Sequence, residues 1–483
     1  MPVNEPNQEY QDSAEQWHRI RDVLAGSDAV KASPWKYLRR PQGLAWDEGA
    51  EYVKSATFFG ATGRTLDGLT GAIFRKPPEV VLPERWRDLE GDATATGVPL
   101  AVLAQMLTRE VIAIGRAGAI VDMPVGGGRP YLRMYAAENI INWRTTMLDG
   151  RPVLSLVVLR ENGTRVDPQD RFASEPVERF LVLELVRPGG ANSVPVYSTS
   201  VFEIRQDRGV TAIEQVAGPF FPKRRGEPLD FIPFQFFATD NLDAAISQSP
   251  LLPLVEVNLS HFNTSASIEH GAWWTALPVY YVAGGFHGDG AKGTLSVGAS
   301  TAWALEKGAT ASILEYKGTG LEALERRLER KEQHMAVLGA RLLEDQKAGV
   351  EAAETVALRH RGENSVLANI AGTVSRGLTN ALRWAVWWAG SAESPAEAEA
   401  SISLNTDFVG AAMSASELTA LMSAWQSGGI GNRTLHHNLE QGERLPDDMD
   451  LDAFEEDQSA HGSDSAFMGL GNGHDHGRDE SIN

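Results

Sequence analysis

The chain contains no cysteine. Disulfides, thiolate zinc sites and cysteine nucleophiles are therefore excluded together, and burial, hydrogen bonds and subunit contacts must hold the fold. Long apolar runs are also missing: none approaches the roughly 20 residues that a membrane-spanning helix needs. The opening residues, Met1 to Gln8, are polar and lack the apolar region of a signal peptide. No membrane partner is expected. Positive charge is in short supply, with 44 Lys and Arg against 64 Asp and Glu, a net of −20. A conventional DNA reader needs cations that displace counterions from phosphates, and this balance argues against one.

What is present describes a folded protein of several packed parts. The 483 residues exceed one ordinary core, and 42% hydrophobic with 22% charged is a globular composition. Charge is unevenly placed: Asp447 to Asn483 holds eight Asp, three Glu and one Arg, a net of −10. That segment is rich in Gly, Ser and His, and reads as an acidic disordered tail.

Apolar residues at helical spacing predict helices over Ala14 to Ala25, Glu48 to Arg75 and Pro99 to Gly115. Lys76-Pro77-Pro78 stops the second of these. From Tyr131 to Phe237 short β-prone runs alternate with turns, which predicts antiparallel sheet and an α+β class. Helix returns over Pro250 to Ala276, with Leu251, Leu254, Val257 and His261 on one face. Leu277 to Tyr316 reads as compact β structure. Leu321, Leu324, Leu328, Met335, Leu338 and Leu342 then form one stripe of a long helix, with Arg326, Arg327, Arg330 and Lys331 placed on other faces. The stripe fails over the polar stretch Gln346 to Gly362 and resumes as Val366, Ile370, Val374, Leu378, Leu382 and Val386. Two short helices are expected at Ser414 to Gln426 and Asn432 to Gln441.

No catalytic or metal-binding constellation emerges, and no cofactor is expected. Gly288 to Gly293 has dinucleotide-fingerprint spacing, but β-prone residues follow it, so a hairpin loop is the better reading. Gly60 to Thr65 lacks the Gly-Lys-Ser/Thr ending of a phosphate loop. His436 and His437 are adjacent, and point about 100° apart on a helix, which suits one metal poorly. His461, His474 and His476 fall in the acidic tail. Trp273, Trp274, Trp384, Trp387 and Trp388 cluster at helix ends, where core or subunit packing is the default reading.

Several segments, in order, resemble a portal family of tailed bacteriophages first catalogued as a domain of unknown function. They are Lys36-Tyr37-Leu38 with Tyr52, Arg64 to Leu69, Gly71 to Pro78, Phe231 to Phe234, Pro250 to Leu254, Asn258 to Phe262, Met335 to Leu343 and Glu363 to Leu367. The resemblance implies a ring, usually of twelve copies, that sits at a capsid vertex and passes double-stranded DNA without reading its sequence. It implies an N-terminal arm over 1–16, a wing over 17–249, a stem helix over 250–276 and a β-rich clip over 277–317. A returning helix over 318–345, a tunnel loop over 346–362, a long wing helix over 363–390 and a crown over 391–446 would follow, ahead of the tail at 447–483.

Tunnel-loop residues facing DNA would be Gln346, Lys347, Glu351, Glu354, Arg359, His360 and Arg361. The five tryptophans would pack subunits together. Implied partners are further copies of the chain, the large terminase subunit, the major capsid protein and a head–tail adaptor. The implied place is the virion, with the host cytoplasm during assembly. No nucleotide-hydrolysing motif is present, so a passive channel served by a separate motor is expected. The alternatives are another virion component, such as a head–tail connector, and an enzyme of unrecognised type.

Overall fold

Capping and packing set where the elements begin and end in the computed structural model. It describes residues 2–43, 46–124, 127–166, 170, 172–190, 193–207, 210–275, 279–284, 305, 307–314, 319–340, 366–406, 408, 415–426, 429–441, 444–445 and 449–457. The described residues divide into two compact units, 1–406 and 407–483.

In the first unit, α1 (Gln8–Ala25) starts six residues before the expected Ala14, because the Asn7 side chain accepts from the Tyr10 amide at 2.8 Å. Gly26 ends it with φ of 94°, a conformation suited to glycine. The segment expected to be an N-terminal arm is thus mostly helix, and Tyr10 is buried edge-on against Trp17 at 5.4 Å. Two short helices follow, α2 (Ser27–Ala32) and α3 (Pro34–Tyr37).

The single helix expected over Glu48 to Arg75 is two, α4 (Trp46–Ser55) and α5 (Ala61–Ile73). The break between them turns Phe58 onto Phe262, with ring centroids 5.6 Å apart. Strand β1 (Glu79–Val81), a short helix α6 (Asp88–Gly91) and α7 (Leu100–Ile114) come next. Gly115 ends α7 in the left-handed region, where a Cβ would lie 2.5 Å from the Ser247 carbonyl oxygen.

The β region is antiparallel, as its alternation predicts. Strands β2 (Arg116–Asp122) and β3 (Tyr131–Ala136) join a late strand, β11 (Phe234–Ala238), in the order β11-β2-β3. Strands β4 (Ile140–Leu148), β5 (Arg151–Val166), β6 (Ser174–Val186), β7 (Val196–Asp207) and β8 (Val210–Phe220) form a five-stranded meander in chain order. A small hairpin, β9 (Lys223–Arg224) with β10 (Glu227–Pro228), completes the region.

Beyond the sheets, α8 (Leu252–Thr275) leads to β12 (Val279–Ala283), which pairs antiparallel with β13 (Thr310–Leu314). Then come α9 (Thr319–Ala340) and α10 (Val366–Trp388). On α10 the expected four-residue stride is buried at Ile370, Val374, Leu378, Leu382 and Val386, whereas Val366 at its start is 44% exposed. Gly377 lets Phe237 of β11 approach closely, since a Cβ there would stand 2.5 Å from its ring.

Residues 391–406, expected in the crown, belong to the first unit. Strand β14 (Ser401–Ser403) pairs with β1, and Thr379 on α10 donates to the Ile402 carbonyl and accepts from its amide. The second unit holds α11 (Ala415–Gln426) and α12 (Asn432–Gln441), which match the expected short helices. It also corrects the tail boundary. Residues 451–457 are helical, and Phe454, 7% exposed, packs with Leu435 and Leu439 as the unit's core.

Candidate functional site

The segment from α8 to α10 is where the sequence concentrates its functional expectations. The first half of α8 is held by the helices around it through polar side chains that sequence alone leaves unassigned. Asn258, fully buried, accepts from the Thr62 amide at 3.3 Å and the Thr62 hydroxyl at 2.9 Å, and donates to the Phe59 carbonyl at 2.7 Å. It therefore caps the start of α5 from another element, which has no side-chain cap of its own. The glycine-rich stretch Gly60 to Thr65 is that capped helix start, with the Ala61 amide donating to the Phe59 carbonyl and the Thr62 amide to Asn258. Asn263 donates to the Tyr37 carbonyl at 2.6 Å, and Ser265 accepts from the Thr57 amide at 3.2 Å.

Helix α9 runs antiparallel to α8, because the contacts descend one helix as they climb the other: Gly271 faces Leu321, and Ser260 faces Lys331. His261, 3% exposed, donates from Nε2 to Glu332 Oε1 at 3.1 Å. Its other ring nitrogen, Nδ1, has no hydrogen-bond partner among the described residues. Lys331 donates to the Ser260 carbonyl at 2.7 Å and to the Thr264 hydroxyl at 2.6 Å. Burial, followed by the charge of Arg327, pushes the Lys331 ammonium down from its ordinary value.

Lys331 is thus a correction. It sits on the α8-facing side, with Met335 buried and Leu324 and Leu328 half-buried nearby on the same stripe. Its spacing, three after Leu328 and four before Met335, was the available signal.

Of the tryptophans expected to pack subunits, Trp273 on α8 is 72% exposed. Trp274 lies in the same helix, with its side chain outside the described set. Trp384 and Trp387 flank Phe231 at 5.5 and 5.7 Å, and Trp388 is buried and donates to the Lys223 carbonyl at 3.0 Å. Arg224 of the β9–β10 hairpin stacks over Trp387 at 4.7 Å and donates to the Trp387 carbonyl at 2.8 Å. These three rings are engaged within their own chain. The tunnel-loop residues Gln346, Lys347, Glu351, Glu354, Arg359, His360 and Arg361 lie outside the described residues, as do Gly288 to Gly293.

Elsewhere, Arg116 is buried with its guanidinium 3.9 Å from the Trp143 ring and 4.5 Å from the Phe236 ring, and burial pushes its pKa down to about 9. A cavity of about 740 Å³ on the five-stranded sheet is lined by Trp143, Leu156, Val182, Glu184 and Phe202 among others, with Pro2 and Val3 entering it. In the second unit, His436 donates from Nε2 to the Met449 carbonyl at 2.9 Å while His437 is exposed, so the pair does not converge. Among the described residues, no helix is long and apolar enough to cross a membrane.

Residues 250–389 match the family described as "Domain of unknown function (DUF4055)". The match begins just ahead of α8 and ends just beyond α10. It covers well under half of the chain and marks a shared segment. No curated protein matches the chain.

Among solved structures, a chain of the neck of an empty gene transfer agent particle, computed with C6 symmetry, is 15% identical. The match covers 86% of this chain and 98% of that chain with a TM-score of 0.39. A chain of the virion of the native gene transfer agent particle is 15% identical over 83% of this chain and 93% of its own, with a TM-score of 0.37. One from the native particle's neck, computed with C12 symmetry, is 14% identical over 82% and 92%, with a TM-score of 0.37. Scores of this size do not establish a shared fold.

Proposed function

We propose that this chain is the subunit of a portal-type ring, a closed oligomer of about twelve copies that passes double-stranded DNA into and out of a tailed-phage-like particle. The observation that carries the reading is the arrangement of α8, the β12–β13 pair and α9. Two long antiparallel helices are rooted in the body by buried polar ties and joined at their other end by a strand pair. A subunit of a channel needs such a projection, and α10 returns the chain to the core after residues 341–365. The segment matched by the domain of unknown function spans this same arrangement.

The net charge of −20 supports a conduit that does not grip its cargo, since neutralising many phosphates would hold DNA in place. The chain lacks a nucleotide-hydrolysing motif, so in this reading the energy comes from a docked terminase, and a head–tail adaptor replaces it later. Negative-stain images of the purified full-length protein should show rings with a central hole. A monodisperse monomer at every salt concentration would falsify the proposal.

A further inference from the structure

Helix α9 carries its charges in two separate columns. At about 100° per residue, Glu325, Glu329 and Glu332 lie within about 80° of Glu322 on one side, and Arg326, Arg330, His334 and Arg327 fall about 40° to 140° away on the other. Between them, at the back, Leu324, Leu328, Lys331, Met335 and Leu338 form the buried or half-buried side.

The segregation works on balance against the helix on its own, because like-charged neighbours outnumber the opposite-sign spacings Glu322 to Arg326 and Arg326 to Glu329. Glu322 and Glu325, Glu325 and Glu329, Glu329 and Glu332 are like-charged neighbours at spacings of three or four, as are Arg326 and Arg330, and Arg327 and Lys331. Such pairs destabilise an isolated helix, whereas interleaved signs would stabilise it. Nor do the other described residues compensate. Glu322, Glu325, Glu329, Arg326, Arg327 and Arg330 are all exposed, and none has an ion-pair partner among the described residues. Glu332 alone of the acidic column is tied down, by His261.

We propose that α9 is a head-to-tail docking surface for a second copy of this chain, the acidic column of one copy meeting the basic column of the next. One helix with an acidic and a basic column side by side supplies the two different and mutually complementary surfaces that a heterologous, ring-closing contact uses. A two-fold dimer of parallel α9 helices would pair the same columns, so a ring and not a dimer is the expected species in the native mass spectrum, and a dimer would overturn the head-to-tail contact. The inference rests on the ring reading above and names the surface that closes the ring.

The test uses two full-length variants, one with Glu322→Lys, Glu325→Lys and Glu329→Lys, the other with Arg326→Glu, Arg327→Glu and Arg330→Glu. Each variant alone places like charges at every contact, and its assembly, followed by light scattering and native mass spectrometry at low salt, should weaken by about 100-fold or more. Mixed in equal amounts, they should reassemble into rings in which the two alternate, because each acidic flank again meets a basic one. A chain carrying all six changes should also assemble, which separates loss of complementarity from loss of folding.

Rings of normal stability from either variant alone would overturn the docking surface while leaving the ring reading intact. So would failure of both the mixture and the six-fold variant when circular dichroism shows native helix content. A wild-type chain that never assembles would remove the ring reading and this inference with it.

Discussion

At the scale of single residues, the first unit depends on a few charges held out of water. Arg21 on α1 donates to both Glu110 on α7 and Glu138, at 3.0 Å to Glu110 Oε2 and 2.8 Å to Glu138 Oε1. Burial pushes the Glu110 carboxyl up, and Arg21 only partly offsets it. Burial acts on Glu138 too, but there the hydrogen bonds and charge of Arg21 outweigh it and the carboxyl is held below its usual range. Removing the arginine leaves two largely buried carboxylates facing each other. Arg21→Met should therefore cost about 3 kcal/mol, checked by urea denaturation.

Glu203 on β7 offers a pH signature. Arg179 at 2.7 Å and Arg165 at 3.1 Å hold its carboxyl below the ordinary glutamate value, against the opposing effect of burial. Between that lowered folded value and the ordinary unfolded one, the unfolded chain binds more protons, so stability rises with pH across this window. The contribution is present at neutral pH and is lost as the solution is acidified through the folded value. Glu203→Gln should flatten that part of the stability–pH curve. An unchanged acid limb would show that the cluster carries none of it.

At the scale of elements, the second unit makes a sharp prediction. Its core is Leu435, Leu439 and Phe454, with the His436 ring edge-on to Phe454 at 5.2 Å. Asp450 accepts from the Ala453 amide at 2.8 Å and so caps the short helix that carries Phe454. Phe454→Ala should cost about 3 kcal/mol, and truncation after Pro446 should lower the melting temperature, both by differential scanning calorimetry. A tail without structure from Asp447 onward would make both changes silent.

Composition suggested such a tail because acidic residues, Gly, Ser and His are frequent in it, and its two phenylalanines, Phe454 and Phe467, are a weak signal. By contrast, α8, α9 and α10 were legible nearly to their ends, because long helices with one apolar side repeat their pattern many times. What the pattern could not show was polar and non-local. The break before α5 depends on Asn258, almost 200 residues later, and Lys331 reads as solvent-facing unless Ser260 and Thr264 are known to lie beneath it. The candidate site was legible to the same extent: its helices were, while the ties that root them and the charge columns of α9 needed the burial pattern to appear.

At the scale of the whole molecule, the ring reading separates building the particle from filling it. Deleting Gln346 to Gly362 should leave rings intact in the microscope and block DNA packaging in an in vitro packaging reaction. Normal packaging by the deleted protein would remove that segment from the channel.

The pairing of β1 with β14 sets a schedule for making the protein. Glu79 lies opposite Ser403, so the ladder closes a loop of most of the first unit, and Leu404 donates its amide to Ser375 on α10 just beside it. Closing so long a loop costs entropy that no local contact returns early, which places this step late in folding. A growing chain on the ribosome cannot lay down that edge until residue 403 has emerged. Products of interrupted translation that stop short of it lack the strand that latches α10 to β1. Such fragments would reach the cell with α8 and α9 already made and the body that anchors them unfinished. On the ring reading, a late latch of this kind would link a subunit's readiness to assemble to completion of its synthesis.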